Sequence, residues 1–215
     1  MNYYSYKVEH DYGLAPNPFG GYCTLAVCKG DIRKSTRLQS GDWIIGTGSR
    51  SLENLSGREM LHHLIFAMRV EDKMTFDQYW RDERFQYKKP IVTGSLVQMY
   101  GDNIYHHEDG DDEWIQEDSA HSLANGSCNR DHLERDTKSE NVLVSRYFYY
   151  FGDSCPLIPE EFWAVCSEGR NVKSISIPQD VANDFIQWLE SNFDIGIHGD
   201  PINWLEHSDT INRRN

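Results

Sequence analysis

The chain has 215 residues, of which 39% are hydrophobic and 26% charged, a composition that excludes an intrinsically disordered chain. Its net charge of −13 disfavours broad, non-specific binding to DNA, and most of the acidic excess lies in residues 101–215, which hold 23 of the 34 acidic residues. No apolar stretch is long enough to span a bilayer and the N-terminus lacks the features of a signal peptide, so we expect a cytoplasmic protein that does not bind membranes.

The N-terminal part begins with a predicted strand over residues 3–10, followed by a loop over residues 10–21 that two prolines and three glycines constrain. Asn17 lies between the two prolines, and a rigidly held carboxamide can pair with a base edge or close a turn as an Asx motif. Both interpretations stay open. Phe19, next to the second proline, is a further candidate for contact with a base.

A second strand is predicted over residues 22–29, and it carries two of the five cysteines, Cys23 and Cys28. The odd number of cysteines, without a secretory signal, argues against a disulfide framework, so both are expected to be reduced, buried thiols. Lys29 and Arg33 belong to a local basic cluster, which is either a solvated turn or an edge that binds phosphate.

The centre of the chain holds predicted strands over residues 44–49, 61–70 and 91–100, with a short helix and a loop over residues 71–87. Residues 74–90 are dense in aromatic and charged side chains, as a pocket for a planar, polar ring requires. The alternative is that the rings anchor a loop to the core while the charges face water. In the pocket interpretation the ring stacks on Trp43, Tyr79, Trp80 and Phe85. Asp82 and Arg84 form hydrogen bonds with the edge of the ring, and Lys88 binds the phosphate.

Residues 101–130 differ in character, because acidic side chains crowd the stretch from Glu108 to Asp118. We expect an exposed, partly mobile insertion here. The run Asp109–Glu113 fails the EF-hand spacing, so a surface run of acids is favoured over a calcium site. The same stretch offers a surface for a basic protein partner.

The C-terminal half is predicted to contain strands over residues 141–151 and 172–177 and a helix over residues 180–193, followed by a polar tail over residues 200–215. Residues 131–137 precede the first of these strands, and their His, Arg and Asp side chains are spaced to converge on one ligand. They either act as acid/base and anion-holding groups or form a capping network for the strand. The candidate catalytic residues are Asp131, His132, Arg135 and Asp136.

Several familiar site motifs are absent from the sequence. It contains no Gly-x-Gly-x-x-Gly, P-loop, His-Glu-x-x-His or Gly-x-Ser-x-Gly pattern, which weakens the cofactor-redox, P-loop, zinc-protease and α/β-hydrolase interpretations. The candidate ligands for a metal ion are His106, His121, His132 and Asp131. Their irregular spacings along the chain disfavour a metal site. We therefore expect no metal and no cofactor.

A family resemblance comes from strings spread over most of the chain. They include His10–Gly13, Pro16–Phe19, Cys23–Ala26, Cys28–Lys29, Gly41–Trp43, Tyr79–Asp82, Lys88–Pro90, Arg135–Thr137 and Val142–Ser145. With them the chain resembles the nucleotide-modification-associated domain 2 family over about residues 5–165. Such domains are associated with hypermodified DNA bases in phages and bacteria. The resemblance therefore implies a modified nucleotide as the substrate class, but it supplies no reaction and no catalytic residue.

A weaker, fold-level likeness is to EVE and other PUA-like domains, which are small β-barrels with a pocket for a flipped modified base. It rests on Gly41–Trp43 and Phe66–Val70, followed by the segment Tyr79–Pro90. We therefore expect a single α+β domain over residues 1–215, folded as a PUA/EVE-like mixed β-barrel with flanking helices and a C-terminal strand and helix. Its core would comprise about residues 3–100 and 131–193, with the acidic insertion between them.

The first functional expectation is a module that recognises a modified nucleobase, a nucleotide or a flipped DNA base. One alternative is an enzyme that acts on a nucleotide or a DNA base by glycosidic-bond cleavage or group transfer. For an enzyme, the net charge of −13 favours a free nucleotide over long DNA. A second alternative is a protein-interaction module that uses the acidic stretch.

Overall fold

The structure is a computed structural model that describes residues 1–167 and 177–206. The described chain forms ten strands and six α-helices, which divide into two compact units. The first unit comprises Met1–Tyr12, Ser40–Val70 and Arg146–Asn215. The second unit comprises Gly13–Gln39 and Glu71–Ser145.

Strands and helices are numbered in chain order. The strands are β1 (Tyr3–Lys7), β2 (Cys23–Leu25), β3 (Trp43–Thr47), β4 (Leu64–Arg69), β5 (Asp72–Thr75), β6 (Tyr105–His106), β7 (Ile115–Gln116), β8 (Asn141–Ser145), β9 (Phe148–Tyr150) and β10 (Gly196–Ile197). The α-helices are α1 (Gly30–Arg33), α2 (Arg50–Ser56), α3 (Phe76–Arg81), α4 (Leu96–Met99), α5 (Arg130–Thr137) and α6 (Gln179–Asn192). Short 3-10 helices span Glu83–Lys88, Gly152–Ser154, Glu160–Val165 and Ile202–Trp204.

The first unit is built on a five-stranded sheet with the order β1-β3-β4-β9-β10. The inner pairs β3·β4 and β4·β9 are antiparallel, and the outer pairs β1·β3 and β9·β10 are parallel. All five residues of β3 are buried, as expected of a strand covered on both faces. Helix α6 contributes Phe185 and Leu189 to the core that contains Trp43 and Tyr149, because its apolar residues recur at helical spacing.

The second unit has a three-stranded antiparallel sheet with the order β2-β8-β5 and a small hairpin of β6 and β7. Its buried aromatic side chains include Phe76, Tyr79 and Tyr105. Helix α3 begins after Thr75, whose side chain forms a capping box with Gln78. Helices α1 and α5 contact each other in this unit, and α5 carries Asp136 of the site described below.

The longest predicted strand, over residues 141–151, is two strands that belong to different sheets. β8 ends at Ser145, a bend follows at Arg146 and Tyr147, and β9 begins at Phe148. The apolar run contains no glycine or proline at the break, so its periodicity does not reveal where the chain leaves one unit for the other.

The strand predicted over residues 91–100 is wrong, because this segment contains helix α4. Ser95 caps the helix, and its side chain forms a capping box with Gln98, a Ser-x-x-Gln signal that outweighs the apolar residues of the segment. The segment before the acidic stretch also differs from the expected exposed insertion. Asp102, Asn103 and Ile104 are fully buried, whereas residues 108–113 are exposed as predicted.

The mixed α+β class is confirmed by these elements. Over residues 1–167 and 177–206 none of the three sheets closes on itself, so the predicted PUA/EVE-like barrel is not confirmed.

The helix predicted over residues 180–193 is confirmed as α6. The strand predicted over residues 172–177 falls almost wholly outside the described residues. Within the described chain, no helix has the length and apolar character needed to cross a bilayer.

Candidate active site

The site is centred on a strained turn between β2 and α1 in the second unit. β2 ends at Leu25, so Cys28 lies three residues beyond the strand that was predicted to contain it. Cys28 has a φ of 56° and Lys29 a φ of 42°, so two successive non-glycine residues adopt the left-handed conformation. Each such residue costs on the order of 1–3 kcal/mol and persists only where neighbouring structure enforces it. Cys28 is partly exposed rather than buried.

Cys28, His121 and Asp136 form a continuous line of polar contacts. The Cys28 Sγ atom lies 3.9 Å from His121 Nε2, and His121 Nδ1 lies 2.8 Å from Asp136 Oδ2. With Asp136 ionised, Nδ1 donates a hydrogen bond to the carboxylate and Nε2 faces the Cys28 sulfur. This is the arrangement of a nucleophile, a base and a group that orients the base.

Asp136 is held in place by four donors. It is fully buried on α5, and its carboxylate accepts hydrogen bonds from the Cys28 backbone N–H at 3.0 Å, Tyr105 Oη at 3.0 Å and Arg135 Nε at 3.2 Å, besides that from His121. Burial alone raises the pKa of Asp136, but the hydrogen bonds and positive charges of His121 and Arg135 outweigh it and lower the pKa to about 2. The group is therefore a carboxylate throughout the physiological pH range.

The charge state of His121 follows from the same contacts. Burial lowers its pKa, but the hydrogen bonds to Asp136 and Cys28 favour the imidazolium more strongly, and the pKa is raised to about 9. A positively charged imidazole beside a cysteine is the arrangement that supports thiolate chemistry. The His132 ring lies edge-on to His121 with 4.6 Å between ring centroids, and burial and then the nearby positive charges lower its pKa.

The loop that carries His121 is tied to the hairpin and to α5. The Gln116 side chain on β7 donates to the His121 backbone carbonyl at 3.3 Å and to Tyr105 Oη at 3.1 Å. Its Oε1 atom accepts a hydrogen bond from the backbone N–H of Asn129, the N-cap of α5, at 2.6 Å. One glutamine therefore connects the elements that supply His121, Tyr105 and Asp136.

Arg33 connects the Cys28 turn to the end of α5. It is fully buried, and its guanidinium donates to the backbone carbonyls of Cys28 at 2.8 Å, Asp136 at 2.6 Å, Ser139 at 3.0 Å and Asn141 at 2.9 Å. Burial lowers its pKa to about 10, despite the opposing charge of Asp136. Arg33 was expected at a phosphate-binding edge, but the structure places it inside the unit, where it holds the strained turn.

The predicted catalytic segment contributes unequally to this cluster. Asp136 is at its centre, Arg135 is half exposed and bonded to Asp136, and His132 packs against His121. Asp131 is exposed in the first turn of α5. The two chemical partners that were not assigned from the sequence are Cys28, which was interpreted as a buried thiol, and His121, which was considered only for a disfavoured metal site.

Asn17 and Lys88, both predicted to contact a ligand, are buried and hydrogen-bonded to each other. Asn17 Oδ1 accepts a hydrogen bond from Lys88 Nζ at 2.6 Å, and Asn17 Nδ2 donates to the Tyr100 carbonyl at 3.0 Å. Both Asn17 and Lys88 are 1% exposed, and burial lowers the pKa of Lys88 to about 8. A base edge or a phosphate would reach these groups only if they left their present positions.

The predicted stacking rings are covered as well. Trp43 lies in the core of the first unit, and Tyr79 and Phe85 are fully buried in the second. The Trp80 ring stacks on His106 at 3.8 Å, and Lys89 Nζ lies 3.4 Å from the Trp80 ring centroid. These two groups must lie on opposite faces of the ring, so both faces are covered.

The remaining predicted residues lie outside the Cys28 cluster or at its edge. Asp82 and Arg84 form a surface ion pair at 2.6 Å. The Phe19 carbonyl accepts a hydrogen bond from Tyr87 Oη at 2.9 Å. Lys29 is partly exposed in the strained turn, next to Cys28. A search of the described residues finds no group of three or more His, Cys, Asp or Glu side chains placed to hold a metal ion.

Comparison with known protein families gives a match over most of the chain. The family model described as nucleotide modification associated domain 2 matches residues 1–208. No curated protein and no solved structure matches the chain.

Proposed function

The chain belongs to the nucleotide modification associated domain 2 family, and from this premise we propose that it is an enzyme that transfers or removes an acyl group on a modified nucleotide through a covalent bond to Cys28. The observation that carries the proposal is the line from Cys28 Sγ through His121 to Asp136. The strained turn supports it, because backbone outliers of this kind cluster at functional sites.

The residues act in sequence. His121 Nε2 holds the proton of the Cys28 thiol in an imidazolium–thiolate pair, and the thiolate sulfur forms a bond to the acyl carbon of the substrate. The bond from that carbon to the leaving group then breaks, and the leaving group takes the proton from His121. Water or an acceptor amine attacks the thioester in turn and gives a proton to His121. The bond from the acyl carbon to sulfur breaks, and the Cys28 thiolate leaves beside the imidazolium.

Asp136 is a positioning residue in this mechanism. Its carboxylate accepts a hydrogen bond from His121 Nδ1, which orients the ring and stabilises the imidazolium. The same carboxylate accepts a hydrogen bond from the Cys28 backbone N–H, so it also positions the nucleophile. The geometry of the base and that of the nucleophile therefore depend on one buried group.

The proposed substrate is a free nucleotide rather than long DNA. The net charge of −13 opposes docking of an extended polyanion. Arg135 is half exposed at the site and supplies a cation for a phosphate or a carboxylate. We keep DNA base modification in phages or bacteria as the proposed setting, because it is what the resemblance to this family implies.

Recognition of a modified base without chemistry remains the second candidate. It would have to use surfaces other than Trp43, Tyr79, Trp80 and Phe85, which are buried or covered. The acidic stretch from Glu108 to Asp118, of which residues 108–113 are exposed, is retained as the proposed docking surface for a protein partner.

The proposal is tested by intact-protein mass spectrometry after incubation with a panel of acylated or otherwise modified nucleotides. We expect a mass increase on the wild-type chain that maps to Cys28, or a mass change in one nucleotide. The Cys28→Ser variant should show neither. Cys128→Ser is the matched control, since Cys128 is exposed in the same unit and should be dispensable. Chemistry that survives in Cys28→Ser would contradict the proposal.

A further inference from the structure

The first unit contains a cavity of about 540 Å³ that takes no part in the Cys28 chemistry. This volume is within the range of small-molecule sites in proteins, which is roughly 300–1,000 Å³. Its lining combines aromatic, charged and apolar side chains, including Arg58, Glu59, His62, Cys155, Leu157 and Trp163. A mixture of a few polar groups with apolar and aromatic surface is typical of sites for small organic ligands.

A stacked pair of rings forms part of the wall. The rings of His62 and Trp163 lie 4.0 Å apart with an angle of 14° between their planes. Trp163 Nε1 donates to the Ile158 carbonyl at 2.8 Å, which fixes the orientation of the indole. Trp163 is nevertheless 37% exposed, so part of the side chain is accessible to a ligand.

His62 has a strained backbone conformation and a buried side-chain nitrogen without a hydrogen bond among the described residues. Its φ is 60°, in the left-handed region that non-glycine residues rarely adopt. Its backbone carbonyl is fixed by a hydrogen bond from the Ile158 N–H at 2.9 Å. Its Nδ1 atom is buried and has no hydrogen-bond partner among the described residues. Backbone strain and an unpaired buried polar atom in one residue both carry a cost, and both mark functional sites more often than ordinary surface.

Arg58 supplies a positive charge to the same cavity. It is exposed, and one of its terminal guanidinium nitrogens donates to the Asp153 carbonyl, which positions the group. A guanidinium has five N–H donors in a planar fork, so one such bond leaves donors for an anion. Leu157 is 56% exposed and adds apolar surface to the lining.

We propose that this cavity binds a nucleoside monophosphate, with the base stacked on the His62–Trp163 pair and the phosphate paired with Arg58. The stacked rings select a planar heterocycle, and the guanidinium selects a dianion attached to it. The site is independent of Cys28, so it gives the chain a binding function in the first unit beside the proposed chemistry in the second.

Calorimetric titration of the four deoxynucleoside 5′-monophosphates and their parent nucleosides tests the site. The titrations use full-length Cys28→Ser protein, so that failure of the proposed reaction does not affect the result. We expect saturable binding of at least one monophosphate, and weaker binding of the matching nucleoside by about tenfold or more. Absence of saturable binding for all eight compounds up to about 1 mM would overturn the proposal.

Two substitutions locate the binding. Arg58→Gln, at an exposed residue, should weaken the monophosphate about tenfold and leave the nucleoside unchanged. Trp163→Leu should weaken both by about tenfold, since stacking on an aromatic ring is worth roughly 1–3 kcal/mol per base. Trp114→Leu, in the second unit, is the matched control and should bind as the parent does. If neither Arg58→Gln nor Trp163→Leu changes the affinity, the ligand binds elsewhere and the proposal is wrong.

Discussion

The second unit contains two clusters of buried charge, and they differ in whether a reactive atom reaches solvent. In the first, Asp136 and His121 are buried but are connected to the partly exposed thiol of Cys28. In the second, Lys88 and Asp102 are both at most 1% exposed, together with their hydrogen-bond partners. We refer to them as the Cys28 cluster and the Lys88 cluster.

The Lys88 cluster is closed on every side by its own bonds. Lys88 Nζ donates to both oxygens of Asn17, and Asp102 accepts from Thr24 Oγ1 at 2.6 Å and from Tyr79 Oη at 2.7 Å. Burial raises the pKa of Asp102, while the charge of Lys88 and these hydrogen bonds oppose the rise. Perturbed pKa values occur in both clusters, so exposure of a nucleophile, rather than a pKa shift, distinguishes a site from a structural network.

The largest expected effect is the loss of activity when the nucleophile of the Cys28 cluster is replaced. Cys28→Ser should lower turnover by at least about 10³-fold, because the hydroxyl lacks the nucleophilicity of the thiol. Its stability should stay close to that of the wild type. Steady-state kinetics and thermal unfolding of the same preparation measure both quantities. Turnover within tenfold of the wild type would remove Cys28 from the mechanism.

The next effect is on stability and belongs to the Lys88 cluster. Lys88→Met should reduce the free energy of unfolding by about 3 kcal/mol, because Asn17 would lose a buried donor and Asp102 a compensating charge. Urea denaturation measures the loss. Activity per folded molecule should be unchanged at temperatures where the variant is folded. A stable variant that has lost only activity would mean that Lys88 is a functional group.

The pH dependence of stability provides a third test. The raised pKa of His121 means that its contribution to stability is fully present below about pH 6.5 and is lost as the pH rises through about 9. The lowered pKa of Asp136 has the opposite sign, so its contribution is present above about pH 4 and is lost as the pH falls toward 2. Urea midpoints across this range should therefore decline on the alkaline side in the wild type. His121→Gln should flatten that alkaline decline, and an unchanged slope would contradict the assignment.

The smallest effect is expected from the exposed acidic stretch. Replacing Asp111, Asp112 and Glu113 with their amides should leave turnover and thermal stability within experimental error, since all three are exposed. The variant should, however, retain less of a basic protein partner in a pull-down. Equal retention of that partner would remove the stretch as a docking surface, and reduced turnover would connect it to the site.

The sequence predicted part of this account because some signals are local. Helix α6 follows from apolar residues at helical spacing, and Asp136 is a candidate because Asp, His and Arg lie within one turn of helix. The family resemblance likewise depended on short strings and is confirmed by the family match.

The remainder depended on contacts that spacing does not encode. Cys28 and His121 are 93 residues apart along the chain, so their spacing does not predict a contact. The acidic character of residues 101–130 also favours the prediction that His121 lies in an exposed insertion. Neither of the two left-handed residues, Cys28 and Lys29, is a glycine or an asparagine, so their residue types do not predict this conformation. The aromatic residues of the 74–90 segment have the composition of a binding pocket, but the side chains of Tyr79 and Phe85 fill the core.

The most direct measurement is the rate at which iodoacetamide alkylates each cysteine near pH 7, followed by peptide mass spectrometry. Cys128 is exposed and Cys28 only partly so, which means that accessibility alone favours Cys128. We predict that Cys28 nevertheless reacts faster, and that His121→Gln removes the difference. Slower reaction of Cys28 than of Cys128 in the wild type, or rates unaffected by His121→Gln, would contradict an activated nucleophile at this site.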